Sequence, residues 1–207
     1  DFSLRIWDAE SGKTRGAWEG HTGAIRIAEF SPSGNIIATG GYDRMIRLWD
    51  VRSAKQIENI WAPMKGHTAA VRTLAFSPCG TKLSSGGADT TVRVWELGSG
   101  KQIGGGSWRA HAYSVYGVCF DKTGKFLASA SYDKTVKIWD LSTARLVGDP
   151  IVPGFQVSCV SFVPTQGESN AMGQRGRAAG AQGSIFESSE LMTEGHETSD
   201  SGPSNVR

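Results

Sequence analysis

Along most of this chain apolar and polar residues alternate with a period of two, the mark of half-buried strands, and no segment of the repeating unit reads as helical. Ala24 to Phe30 reads as a strand, and the turn Ser31-Pro32-Ser33-Gly34 returns it into a second strand over Asn35 to Thr39. The same connection recurs as Ser77-Pro78-Cys79-Gly80 and as Asp121-Lys122-Thr123-Gly124. A tight turn carrying Asp follows, and then the alternating strands Ile46-Arg47-Leu48-Trp49, Val92-Arg93-Val94-Trp95 and Val136-Lys137-Ile138-Trp139. A further hairpin leads into a fourth strand, as over Gln56 to Trp61. The unit is therefore an all-β, four-stranded antiparallel meander. Such a unit cannot bury both faces alone, so repeated units must stack on one another to make a core.

A fixed polar set rides on this repeat: His21, Thr39, Asp43 and Trp49; His67, Ser85, Asp89 and Trp95; His111, Ser129, Asp133 and Trp139. Trp follows His by 28 residues in every copy, and the copies start 46 and then 44 residues apart, a period that belongs to arrays of supersecondary units. With Gly20-His21 and Trp49-Asp50, Gly66-His67 and Trp95-Glu96, and Ala110-His111 and Trp139-Asp140, the chain resembles the WD-repeat β-propeller family over residues 1 to 164. Ala110 in place of Gly and Glu96 in place of Asp are the two visible departures. The resemblance implies a buried polar chain in each unit, from Trp to Ser/Thr to His to Asp. Trp suits the place, because it buries about 150–250 Å² and still offers an indole N–H.

Ser, His and Asp are also the parts of a hydrolytic triad. An enzyme needs that set once, with an oxyanion hole and a pocket, whereas here it occurs three times and one copy has Thr. The expectation is a structural role for all twelve residues, with no catalytic group and no cofactor. The wide spacing of the histidines assigns one to each unit, which argues against a shared metal ion.

Both ends depart from the repeat. Asp1 precedes Trp7 by the interval that separates Asp43 from Trp49, so the chain is expected to begin inside a blade, with strands missing upstream. Gln156 to Pro164 copies a first strand, with Phe162 in the place of Phe30 and Pro153 where the His would stand. The expected units are 1–19, 20–65, 66–109, 110–152 and 153–164: three complete blades and two partial ones, a partial propeller that does not close by itself. Residues 165–207 are rich in Gly, Ser, Glu and Thr, lack Trp, Tyr and Lys, and carry six acids against three arginines, so they are expected to be a disordered tail, with at most a transient helix over Ile185 to Met192.

Composition adds an expected location. Three scattered cysteines, Cys79, Cys119 and Cys159, show no paired spacing; the two in strand-like runs read as buried thiols, and an intracellular protein is implied. No apolar run reaches the length of a membrane-spanning helix.

The resemblance also implies what the protein does, since propellers of this family are rigid, non-catalytic platforms for protein partners within larger complexes. Partners there dock on the narrow face through the residues three and five after the His and the one before the Asp. Those positions are Ala24, Arg26 and Tyr42; Ala70, Arg72 and Ala88; Ser114, Tyr116 and Tyr132. Arg26, Tyr42, Arg72, Tyr116 and Tyr132 form the candidate rim, of a kind that suits an acidic or phosphorylated peptide. Arg5, Arg47, Arg93 and Lys137 resemble a nucleic-acid stripe, but on packed strands their stems should press on neighbours while their charges reach the rim, so direct nucleic-acid binding is not expected. A second functional class stays open, because Arg15 to His21 followed by Ala38 to Asp43 is loosely similar to tandem-propeller proteins of the small-subunit processome, a ribonucleoprotein assembly that matures ribosomal RNA and would place the chain in the nucleolus.

Overall fold

In the three repeated units the alternating segments become strands, and the turns rich in Gly, Pro, Ser or Asp between them become hairpins. The structure is a computed structural model that describes residues 2–58 and 64–162. Asp1, the end of the expected fourth strand at Asn59 to Trp61 and the expected tail lie outside the described residues.

The first sheet pairs β1 (Leu4–Trp7) with β2 (Thr14–Trp18). The second runs in sequence order through β3 (Ile25–Phe30), β4 (Ile36–Gly41), β5 (Ile46–Asp50) and β6 (Lys55–Gln56). The third is β7 (Val71–Phe76), β8 (Lys82–Gly87), β9 (Thr91–Glu96) and β10 (Trp108–Arg109). The fourth is β11 (Val115–Phe120), β12 (Phe126–Ser131), β13 (Val136–Asp140) and β14 (Arg145–Leu146). All pairings are antiparallel, and no described residue is helical. The first strands β3, β7 and β11 lie against one another in turn, so the sheets stack around their innermost strands as blades do.

The core lies in the seams between sheets. Leu48, Val71, Leu74 and Leu83 share one seam, and Val94, Trp108, Val115 and Trp139 share the next. Close approach is built in by glycine: a Cβ on Gly40 would stand 2.6 Å from Cγ1 of Val71, and one on Gly86 would stand 2.6 Å from Cγ1 of Val115. Each seam therefore presses the valine four residues after a His into the preceding sheet.

Burial differs between copies because a seam has two sides. Phe76 on β7 is 8% exposed, while Phe30, at the same position on β3, is 53% exposed. Trp7 on β1, at the position of the buried Trp49, is likewise exposed. Only β1 and β2 stand before β3 among the described residues, and they cover Ile37 and Trp49 through Leu4 and Trp18 but leave the face of β3 open.

Residues 156–162 form no ladder, although their sequence reads as a first strand. Only Phe162, at their end, makes a single bridge, and no second strand pairs with them among the described residues. They still occupy the seam: Val157 and Val160 are buried against Ala128, Ala130 and Val136, and the Val157 N–H donates to the Ser131 carbonyl at 3.2 Å. This partial docking corrects the expectation for Cys159, which is exposed instead of buried. Cys119 is half-buried, and burial pushes its thiol up to about 11. Cys79 is exposed in its turn, where hydrogen bonding to Ser77 and Thr81 brings the thiol down to about 7.

Candidate functional site

The sheet register assembles the polar sets. Ile37 pairs with Trp49 across β4 and β5, and Thr39, two residues on, shares its face, so the indole lies diagonally against the hydroxyl. The same register holds for Leu83 with Trp95 beside Ser85, and for Leu127 with Trp139 beside Ser129. Trp49 Nε1 donates to Thr39 Oγ1 at 2.7 Å, Trp95 Nε1 to Ser85 Oγ at 3.0 Å and Trp139 Nε1 to Ser129 Oγ at 2.9 Å. Each hydroxyl meets a histidine Nε2: His21 at 2.7 Å, His67 at 2.8 Å and His111 at 2.8 Å. Each Nδ1 meets a carboxylate: Asp43 at 2.7 Å, Asp89 at 2.9 Å and Asp133 at 2.9 Å.

One protonation pattern satisfies every group. The indole donates to the hydroxyl, the hydroxyl donates to Nε2, and Nδ1–H donates to the carboxylate, which leaves a neutral imidazole and an ionised acid. Burial lowers the pKa of His21 and of His111 against the opposing pull of Asp43 and Asp133, in keeping with neutral rings. Burial alone would raise the Asp89 and Asp133 carboxyls. Hydrogen bonds from His67, the Thr68 amide and the Thr91 hydroxyl outweigh it at Asp89, and those from Thr135, the Ala112 amide and His111 do so at Asp133, so both sit below the ordinary range. Thr91 Oγ1 reaches Asp89 at 2.8 Å and Thr135 Oγ1 reaches Asp133 at 2.6 Å. These two threonines, each two residues after its Asp, were missed by the sequence reading, although their repetition was visible.

Chemically the sets are closed. Thr39, Ser85 and Ser129 have no solvent exposure, and each oxygen already accepts an indole N–H, so no carbonyl carbon can approach as at a nucleophilic serine. Among the described residues, no group of three or more His, Cys, Asp or Glu stands together as a metal site.

The basic residues two before each Trp behave differently from the expectation. Arg47 Nη1 donates to Gln56 Oε1 at 2.7 Å and Arg93 Nη1 to Gln102 Oε1 at 2.9 Å, so their heads are held beside the outer strands and do not reach out as a basic stripe. Lys137 turns to the Ala110 carbonyl at 2.6 Å. Arg5 is exposed and lies 3.5 Å from Ser3 Oγ.

At the narrow-face positions the backbone does the placing. The carbonyls of Ala24, Ala70 and Ser114 accept the N–H groups of Tyr42, Ala88 and Tyr132 at 3.0, 2.8 and 3.3 Å. Register shifts fall between Ile25 and Ile27, between Val71 and Thr73, and between Val115 and Gly117, which makes Arg26, Arg72 and Tyr116 the extra residues of three equivalent bulges. A bulge re-aims the side chain it carries. Arg72 Cζ lies 5.9 Å from the Tyr42 ring centroid and 4.9 Å from that of Tyr116. Tyr116 and Tyr132 stack at 4.0 Å with planes 13° apart. Four of the five rim residues thus form one stack across three sheets, Tyr42, Arg72, Tyr116, Tyr132, while Arg26 is exposed and makes none of these ring contacts.

Comparison with known proteins agrees with this geometry. The WD domain, G-beta repeat, matches residues 12–50, 59–96 and 105–140, more than half of the chain. The first and third matches start before the outermost strand of one sheet, β2 or β10, the second starts just after β6, and all three end in the third strand of the next sheet, so the first and third straddle two blades. Residues of this chain are 37% identical over 57 positions to eukaryotic translation initiation factor 3 subunit I of Schizosaccharomyces pombe, covering 28% of this chain and 17% of that protein. They are 41% identical over 54 positions to mitochondrial division protein 1 of Pyricularia oryzae, covering 26% of this chain and 8% of that protein, and equally similar to its namesake in Neurospora crassa. The chain thus spans less than a fifth of the length of these relatives. Three family matches, three closed Trp-hydroxyl-His-Asp sets and four radially stacked antiparallel sheets make this chain a member of the WD-repeat family.

Proposed function

We propose that this chain is a non-catalytic, intracellular scaffold that binds other proteins through the narrow-face rim of Arg26, Tyr42, Arg72, Tyr116 and Tyr132. The observation that carries the reading is the ring stack across three sheets, because aromatic and arginine side chains ordered on a rigid frame are the residue types that anchor protein interfaces. The sealed hydroxyls of the polar sets support a structural rather than chemical role, and the clamped heads of Arg47 and Arg93 argue against a phosphate-binding stripe. One relative is by name a subunit of a translation initiation factor, which supports membership of a multiprotein assembly here.

The test compares partners captured from extract by this chain and by a variant with Tyr116→Ala and Tyr132→Ala. The reading expects the main partners to be lost while the thermal melt is retained; an unchanged set of partners moves binding off this face. Capture dominated by ribosomal RNA maturation proteins would select the ribonucleoprotein alternative.

A further inference from the structure

The stack holds a cation whose charge is left unneutralised among the described residues. No carboxylate of the described residues pairs with Arg72, and Asp43, Asp89 and Asp133 already accept from histidine Nδ1 and from the Thr22, Thr68 and Ala112 amides. The bulge on β7 places the Arg72 guanidinium between rings of the two flanking sheets, Tyr42 on one side and Tyr116 on the other. Its Nε is buried without a partner. The side-on fork that uses Nε is therefore closed to a ligand, and the two terminal nitrogens are the edge that remains.

From this arrangement, and resting on the rim reading above, we infer that Arg72 is the anchor of a peptide-binding site and takes one Asp or Glu carboxylate of a partner end-on through its two Nη groups. The planar fork matches two carboxylate oxygens. A phosphoryl group brings nearly two charges and three acceptor oxygens and is usually met by several arginines. Here a single ordered guanidinium is on offer, since Arg26 stands apart from the stack.

Other ligand classes fit less well. A cationic side chain would have to enter between Tyr42 and Tyr116, where Arg72 already lies and repels it. A nucleic-acid base needs an open ring face, and Tyr116 has Arg72 on one side and Tyr132 on the other. Tyr42 and Tyr132 are more exposed than Arg72 and Tyr116 between them, so the tyrosines at the two ends supply flat contact for residues flanking the acid.

The experiment selects phage-displayed random 12-residue peptides on the full 207-residue chain and then measures synthetic copies of the best binder. The expected binders share one acidic residue at a fixed position. Replacing it with Gln weakens binding at least about 10-fold, and phosphoserine there binds no tighter than Glu. On the Arg72→Gln variant the acidic peptide loses the same factor while its Gln version is unaffected, and Arg72→Lys, which keeps the charge but not the fork, falls between. Thermal melts of both variants show that the fold persists. Binders without an acidic preference, a phosphopeptide at least about 10-fold tighter, a single-stranded RNA that displaces the peptide, or equal losses for the Glu and Gln peptides would each overturn the assignment. If such binders are still lost with Tyr116→Ala and Tyr132→Ala, the ligand class fails but the rim survives; if they are not, the rim fails as well.

Discussion

A Cβ placed on Gly66 would stand 2.5 Å from Nη1 of Arg93, whose head passes over this glycine to reach Gln102. At Gly20 the same Cβ would meet Gln56 at 2.9 Å and Trp49 at 3.1 Å. In the third copy the glycine is Ala110, the arginine is Lys137 and the glutamine is Leu146, and the thinner ammonium turns to the Ala110 carbonyl. The three positions therefore change together: glycine admits a guanidinium held by glutamine, and alanine excludes it.

Gly66→Ala should accordingly destabilise the protein by about 1–3 kcal/mol, the range for overpacking a filled site. Adding Arg93→Lys and Gln102→Leu should recover most of that loss, as the third repeat already does. Urea midpoints of the single and triple variants check this; equal losses in both would show that the arginine is not what the methyl group meets.

In the polar sets the hydroxyl matters through both of its partners. Ser85→Ala leaves the Trp95 indole and His67 Nε2 unpaired in a buried place and should cost about 2–4 kcal/mol. Ser85→Thr keeps both bonds, and Thr39 shows that the first set accepts the extra methyl, so its loss should be clearly smaller. Paired urea unfolding of the two variants measures the difference.

Much of this was legible before any coordinates. Period-two alternation and the recurring turns specified the strands, and the resemblance to the WD-repeat family, carried by the repeated His, Ser/Thr, Asp and Trp, implied which side chains meet; the antiparallel register then brings them together. What was not legible came from contacts between copies. Phe30 and Phe76 occupy the same position in sequence, and only the neighbouring sheet decides that one is exposed and the other buried. Residues 156–162 carry a strand's pattern, yet among the described residues they make one bridge and no ladder. The bulges that turn out Arg72 and Tyr116 leave no mark in hydrophobic alternation, so the resemblance could name the rim positions but not their stacking.

The buried histidines give stability a definite dependence on pH. With the folded pKa of His21 and His111 held by burial below the ordinary imidazole value of 6.5, the unfolded chain binds more protons than the folded one as pH falls through about that value. Stability should then be highest above pH ~6.5 and decline on acidification. Asp89 and Asp133, lowered from 3.8, open a second window: their stabilisation is present above the unfolded value and is lost as pH falls below it. Urea midpoints between about pH 7.5 and 3 should show both declines, and His111→Gln should flatten the upper one. A midpoint that rises on acidification from neutrality would contradict neutral, buried rings.

The turn after Asp89 stores strain that no contact requires. Thr90 has φ 69°, as Arg44 and Lys134 have 67° and 68° at the same place in the other copies, but only Thr90 is β-branched, the type least suited to the left-handed region. Its carbonyl accepts the His111 N–H at 3.3 Å and thereby ties one repeat to the next, a bond that any residue would keep. Thr90→Gly relieves the left-handed penalty of about 1–2 kcal/mol and adds back part of it as chain entropy, so a net gain of about 0.5–1 kcal/mol is expected. Thr90→Val should give no gain, because it keeps the branch at Cβ. Thermal melts of both variants decide the matter: a gain with Val, or a loss with Gly, would mean that the Thr90 side chain contributes to the turn in its own right.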